Sequence, residues 1–204
     1  RYLDGLQLRW RAPPERSLDD SVLRGVAHPF DSEGGLRCLT GNLGRAVVKV
    51  SAVAATYRKI AAPARVFDSQ DALLVAFKAG ELTGDFVAVI RGQGPRANGM
   101  PELHKLTPTL ASGKVLAAIH VSPEAYAGGA IAKVRDGDLI VIDSDAGTME
   151  AQVDAREWAT RSPAAIDVSG NQYGVGRELF ALMRQHATSA EEGGSGLGSI
   201  EGLP

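Results

Sequence analysis

The sequence predicts a mixed α+β fold, a β-barrel or curved sheet flanked by helices, for this chain of 204 residues. Three observations carry that reading. Roughly seven or eight short apolar runs have the length and composition of strands. Roughly three or four helical patterns fall between them irregularly, which disfavours a regular βαβ stack. The runs Leu139–Ile142 and Thr148–Val153, parted by Ser144-Asp145-Ala146-Gly147, predict a β-hairpin.

The elements follow in order. Leu6, Leu8 and Trp10 alternate loosely before Pro13-Pro14, as in a short edge strand. Ser17 followed by Asp19-Asp20 offers an N-cap for a short helix through Val22-Leu23-Arg24, ended by His28-Pro29. The stretch Gly34–Gly44 is a strand fragment and then a glycine-flanked polar loop, and Ala46–Val53 is the next strand. Lys49 interrupts that strand and is expected on its solvated face; the alternative is that it meets an anionic ligand beside Asn42. Ala64–Phe67 is a short strand. Ser69 then caps a helix with Leu73, Leu74, Ala76 and Phe77 at helical spacing, stopped by Gly80. Phe86–Ile90 is a buried strand. Val115–Val121 is another, in which His120 reads as a core histidine, a site role being the alternative. Glu157-Trp158 lies in a short helix, and Gly176–Arg184 forms a closing amphipathic helix. Residues 188–204 are rich in Ser, Gly and Glu and are expected to form a flexible tail after a domain spanning 1–187.

The loop after Phe86–Ile90 is the densest in chemistry. Arg91 to Lys105 holds Gly92, Gly94, Gly99, Pro95 and Pro101 together with Arg96, Asn98, Glu102, His104 and Lys105. Glycine lets backbone approach a ligand and proline fixes the loop's shape. Pro101 suits the first position of a helix, which would put Glu102 in its first turn. An ordinary polar turn with a capped helix is the alternative reading.

The totals narrow the function classes. The net charge of −2 argues against a nucleic-acid surface built on bulk charge. No apolar run approaches a membrane span and no signal-peptide pattern opens the chain, so a cytoplasmic setting fits. The lone Cys38 cannot make an internal disulfide or hold a cluster, and reads as a small buried hydrophobe. The chain begins at Arg1 without methionine, as a piece of a longer protein would. Gly92-Gln93-Gly94-Pro95-Arg96-Ala97 fits a dinucleotide turn poorly because of Pro95, and Ser112-Gly113-Lys114 is a weak anion tripeptide. No zinc spacing and no serine-hydrolase elbow is present. What remains is one carboxylate among donors: Asn42, Lys49, Arg96, Asn98, Glu102, His104, Lys105, Ser112 and Lys114. Such a set suits a hard cation with an anionic, hydroxylated ligand.

Several segments occur in order: Thr40-Gly41-Asn42-Leu43, Gly94–Lys105, Ala111–Val115, Ala118–Ala125, Val134–Asp138 and Gly176–Phe180. Together they resemble the C-terminal part of the dihydroxyacid/phosphogluconate dehydratase family. The run Gly-Pro-Arg-Ala-Asn-Gly-Met-Pro-Glu-Leu-His-Lys favours its sugar-acid phosphate branch. The resemblance implies a swivelling-type β-barrel flanked by helices. It implies loss of water from a 2,3-dihydroxy acid, here 6-phosphogluconate, giving 2-keto-3-deoxy-6-phosphogluconate in the Entner–Doudoroff route. It further implies a 4Fe-4S cluster acting on the leaving hydroxyl, a divalent metal such as Mg2+ with Glu102 as one ligand, and a homodimer. Substrate contacts would come from Asn42, Arg96, Asn98, His104, Lys105, Ser112 and Lys114. The cluster's cysteines belong to the family's N-terminal domain, a partner this chain lacks. The family also carries a strand and an Asp-Gly-Arg-x-Ser-Gly loop, whose serine is its candidate base, before Ala-Ser-Gly-Lys. Here Leu110 runs straight into Ala111, so the catalytic base is unknown and the chain alone is expected to be inactive. Another sugar-acid or dihydroxyacid dehydratase, or a non-catalytic binding module, are the alternatives.

Overall fold

The computed structural model describes residues 2–10, 12, 14–51, 53–99, 118–174 and 176–198. The chain divides into two compact units, Arg1–Gly35 and Leu36–Pro204.

In the first unit, β1 (Tyr2–Asp4) pairs antiparallel with β2 (Gln7–Arg9), Leu3 opposite Leu8. The expected helix after Ser17 does not form. The Asp19 carboxylate takes the Ser21 N–H at 2.9 Å and its hydroxyl at 2.6 Å, closing a local turn instead. Short acidic side chains compete with helix in this way.

The second unit is a curled seven-stranded sheet forming a half-barrel, flanked by a few helices, as the fold class predicted. Its strands are β3 (Leu36–Gly41), β4 (Gly44–Lys49), β5 (Lys59–Phe67), β6 (Val87–Ile90), β7 (Ala118–Ser122), β8 (Leu139–Asp143) and β9 (Thr148–Ala151). They lie in the order β6-β5-β8-β9-β3-β4-β7. The hairpin expected over 139–153 is β8–β9, with Ile140 opposite Ala151. A second hairpin, β3–β4, turns at Asn42-Leu43. Along β4, Ala46 and Val48 are buried while Arg45 and Lys49 face out, the period of two that a half-buried strand requires. Lys49 is thus solvated, and it sits at the end of β4 away from Asn42. Strand β5 is longer than its apolar run suggested. Lys59–Pro63 pairs antiparallel with β8, and Ala64–Phe67 pairs parallel with β6. Pro63 has no N–H to donate and stands where the partner changes.

Leu39, Val48, Val134, Ile140, Ile142 and Met149 fill the concave side. Each large aliphatic removed from water there contributes about 1.5–3 kcal/mol. Helix α1 (Gln70–Lys78) is capped by the Ser69 hydroxyl, which accepts the Ala72 N–H at 3.1 Å. Its buried stripe is Gln70, Leu73 and Ala76; Phe77, expected on that face, is exposed. Helix α2 is the short turn Pro95–Asn98, α3 is Ala155–Thr160 and α4 is Ala181–Gln185.

Two further expectations are corrected. Cys38 is exposed, because odd positions of β3 bury Leu39 and leave its neighbours outward. His120 is exposed at φ +55°, a left-handed backbone at the middle of β7 that turns its ring out of the core.

Candidate functional site

The densest loop of the sequence folds as far as Gly99 into a single helical turn. Strand β6 ends at Ile90, and Gly94 starts α2 with Pro95 at its first position. The Asn98 N–H reaches Gly94 O at 2.9 Å, and Gly99 stops the turn at φ +71°, its N–H on Pro95 O at 2.8 Å. Glycine is the residue that reaches that left-handed stop without strain.

A turn that opens on glycine has no capping side chain of its own, so its first N–H groups need an outside acceptor. Glu124, just past β7, supplies it. Its Oε1 accepts the Arg96 N–H at 2.7 Å, and the Ala97 N–H also stabilises the charged carboxylate. A Cβ at Gly94 would overlap the Glu124 carboxylate, so the close approach depends on glycine. Among the described residues, the buried Glu124 Oε2 has no hydrogen-bond partner. Burial raises the Glu124 carboxyl above its ordinary range, outweighing the two backbone N–H groups and the Arg96 charge.

The opposite end of the turn is held by residues from the end of the chain. Arg177 Nη2 donates to Asn98 Oδ1, and Arg177 Nε donates to Asn171 O at 2.7 Å. Asn171 Nδ2 donates to Ala97 O at 3.1 Å. Buried Arg184 donates from Nη1 to Arg177 O at 2.8 Å. Asn98 Nδ2 completes the set with a bond to Gln93 Oε1 at 3.3 Å. The residues from Thr188 to Gly198, expected to begin a flexible tail, also carry local order. Thr188 is buried, and Ser189 and Glu192 cap a 3-10 turn reciprocally.

The predicted site residues separate accordingly. Arg96 and Asn98 share this turn. The Asn98 amide faces Arg177 and Gln93, and Arg96 Nε donates to Ala187 O at 3.2 Å. Arg96 also lines a cavity of about 210 Å3 with Pro123, Glu124, Ala127, Ser189 and Ala190. Its charge helps hold Glu192 below the usual carboxylate range, after that carboxylate's bonds to Ser189. Asn42 serves another strand: its amide donates to Ala151 O and accepts the Ala151 N–H, both at 2.8 Å. Glu102, His104, Lys105, Ser112 and Lys114, with the helix expected from Pro101, lie outside the described residues. Among the described residues, no three His, Cys, Asp or Glu side chains gather as a metal site, and Cys38 stands alone.

Sequence reasoning assigned no role to Glu124, Arg177, Arg184 or Asn171. The signal for Glu124 was present: a helical turn begun by glycine and proline implies a distant acceptor. No local pattern pointed to the arginines.

Comparison with known proteins supplies the wider frame. The family model described as dihydroxy-acid/6-phosphogluconate dehydratase C-terminal matches residues 21–115 and 111–194. The phosphogluconate dehydratase of Pseudomonas aeruginosa is 53% identical over 212 residues, covering 94% of this chain and 35% of that protein. Those of Rhizobium meliloti and Escherichia coli are 51% and 47% identical, covering 89% and 94% of this chain. The chain thus spans about a third of the length of the curated relatives it matches. Ninety-four per cent of 204 residues is about 192, so about 20 of the 212 aligned positions meet no residue of this chain. The family model matches in two segments that overlap at residues 111–115, beside the direct junction of Leu110 and Ala111. With the match reaching from residue 21 to residue 194, the chain belongs to the dihydroxy-acid/6-phosphogluconate dehydratase family and carries its C-terminal region.

Proposed function

We propose that this chain is the C-terminal part of a hydro-lyase that converts 6-phospho-D-gluconate to 2-dehydro-3-deoxy-6-phospho-D-gluconate and water, a step of the Entner–Doudoroff pathway. The observation that carries the reading is identity of about half, over nearly the whole chain, to proteins named phosphogluconate dehydratase. In the reaction the C2 proton and the C3 hydroxyl leave as water, and the resulting enol becomes the 2-keto acid. A base must take the C2 proton and an acid must assist the hydroxyl. The cations on and after the Gly94–Gly99 turn, Arg96, His104, Lys105 and Lys114, suit the substrate's carboxylate and phosphate.

Glu102 offers one carboxylate to a divalent cation, which would acidify the C2 proton when bound. A 4Fe-4S cluster would take its cysteines from the portion of the enzyme outside this chain. We place the working protein in the cytoplasm as a homodimer. No helix among the described residues is long and apolar enough to cross a membrane.

The missing stretch of about 20 positions bears on turnover. The test is a chimera: the Pseudomonas aeruginosa enzyme with its matched third replaced by this chain, prepared anaerobically and assayed on 6-phosphogluconate and on a branched-chain 2,3-dihydroxy acid. Turnover of 6-phosphogluconate is expected only after the relative's missing residues are inserted between Leu110 and Ala111. Turnover of the branched-chain substrate alone would overturn the assignment.

A further inference from the structure

The segment that braces the candidate turn has two sides. Its polar groups face inward: Arg177 holds Asn98 and Asn171, and buried Arg184 holds Arg177. Its apolar groups face outward. Tyr173, Leu179, Phe180, Leu182 and Met183 are 76%, 83%, 53%, 69% and 45% exposed. Leu179 lies three and four residues from Leu182 and Met183, and Phe180 three from Met183, so on these successive helical turns they are neighbours. This inverts the expected closing helix: the arginines are the buried side and the hydrocarbon is the wet one. A contiguous patch of large apolar side chains on a soluble protein marks a surface that something covers.

The comparison lengths indicate what covers it. About two-thirds of each relative lies outside the span this chain matches, and the matched family region is C-terminal. We propose that the outward face of Tyr173–Met183 is the docking surface for that larger part of the dehydratase. The proposal rests on the reading that this chain works as one part of such an enzyme. Because the same short segment carries the brace on its other side, docking would hold Arg177 and Arg184 against the candidate turn.

The chimera described above tests this without turnover. Hydrogen exchange is followed at residues 177–186 in the isolated chain and in the full-length chimera. About tenfold or greater slowing in the chimera is expected. The double substitution Leu179→Glu, Leu182→Glu should abolish the slowing, while leaving the isolated chain's melting temperature unchanged because both residues are exposed. Equal exchange in both proteins would overturn the proposal. So would slowing that survives the double substitution, or slowing in the isolated chain that grows with its concentration, which would make a second copy the occupant. Protection in a chimera that turns over no 6-phosphogluconate even with the relative's residues inserted between Leu110 and Ala111 would sustain the docking face and count against the proposed reaction instead.

Discussion

Glu124 shows how one side chain can serve a turn at a cost to itself. Its carboxylate satisfies N–H groups that Gly94 cannot cap, yet burial raises its proton affinity. A carboxyl held above its unfolded value of 4.5 contributes stability below that value and loses it as pH rises through the folded value. At neutral pH the ionised form is therefore a liability that the hydrogen bonds reduce but do not cancel. Glu124→Gln keeps an oxygen acceptor and removes the charge. It should flatten the melting-temperature profile just above pH 4.5 and leave the turn intact. Glu124→Ala should cost about 0.5–1.5 kcal/mol by removing the acceptor of the Arg96 N–H. Thermal melts of the three proteins from pH 4 to 7 decide the matter; identical profiles for Gln and wild type would refute it.

Among the elements, α1 and α2 make an instructive pair. Helix α1 carries its cap beside it, so Ser69, the apolar spacing and Gly80 announced it fully. Ser69→Ala should cost about 1 kcal/mol in chemical denaturation, and no loss would show the cap to be idle. Helix α2 has its cap 28 residues downstream, in Glu124, so its existence was hidden while its loop was evident. The strands follow the same logic. The β8–β9 hairpin was legible because its pairing is local, one strand being an apolar run and the other alternating polar with apolar across a short turn. Half of β5 was not, since Pro63 breaks the pattern and two different partners supply the pairing. The helix expected after Ser17 failed because a propensity signal was weighed without the competing bonds of Asp19.

Over the whole second unit, charge is arranged to resist neutral pH and yield to acid. Burial alone would raise Asp138, but the Arg161 guanidinium, at 2.5 and 2.9 Å, together with the Arg135 N–H and charge outweighs it and holds the carboxyl below its usual range. Hydrogen bonds to backbone N–H groups, with Lys59 adding to Asp143, also lower Asp143, Asp167, Glu178 and Glu192. Each contributes stability above its unfolded value and loses it as pH falls through the folded one. Denaturation midpoints should therefore fall steeply below about pH 4, against the opposing trend of Glu124, the one carboxyl raised among the described residues. A midpoint unchanged between pH 7 and pH 3 would contradict that balance. The candidate motif is the part of the molecule least readable from its own neighbourhood, since Arg177 grips Asn98 from 79 residues further along. During synthesis, then, Asn98 leaves the ribosome long before the arginine that secures it exists. The motif must wait, unfastened, until Arg177 too has been made, and a messenger cut short before Arg177 would encode the chemistry without the means to hold it still.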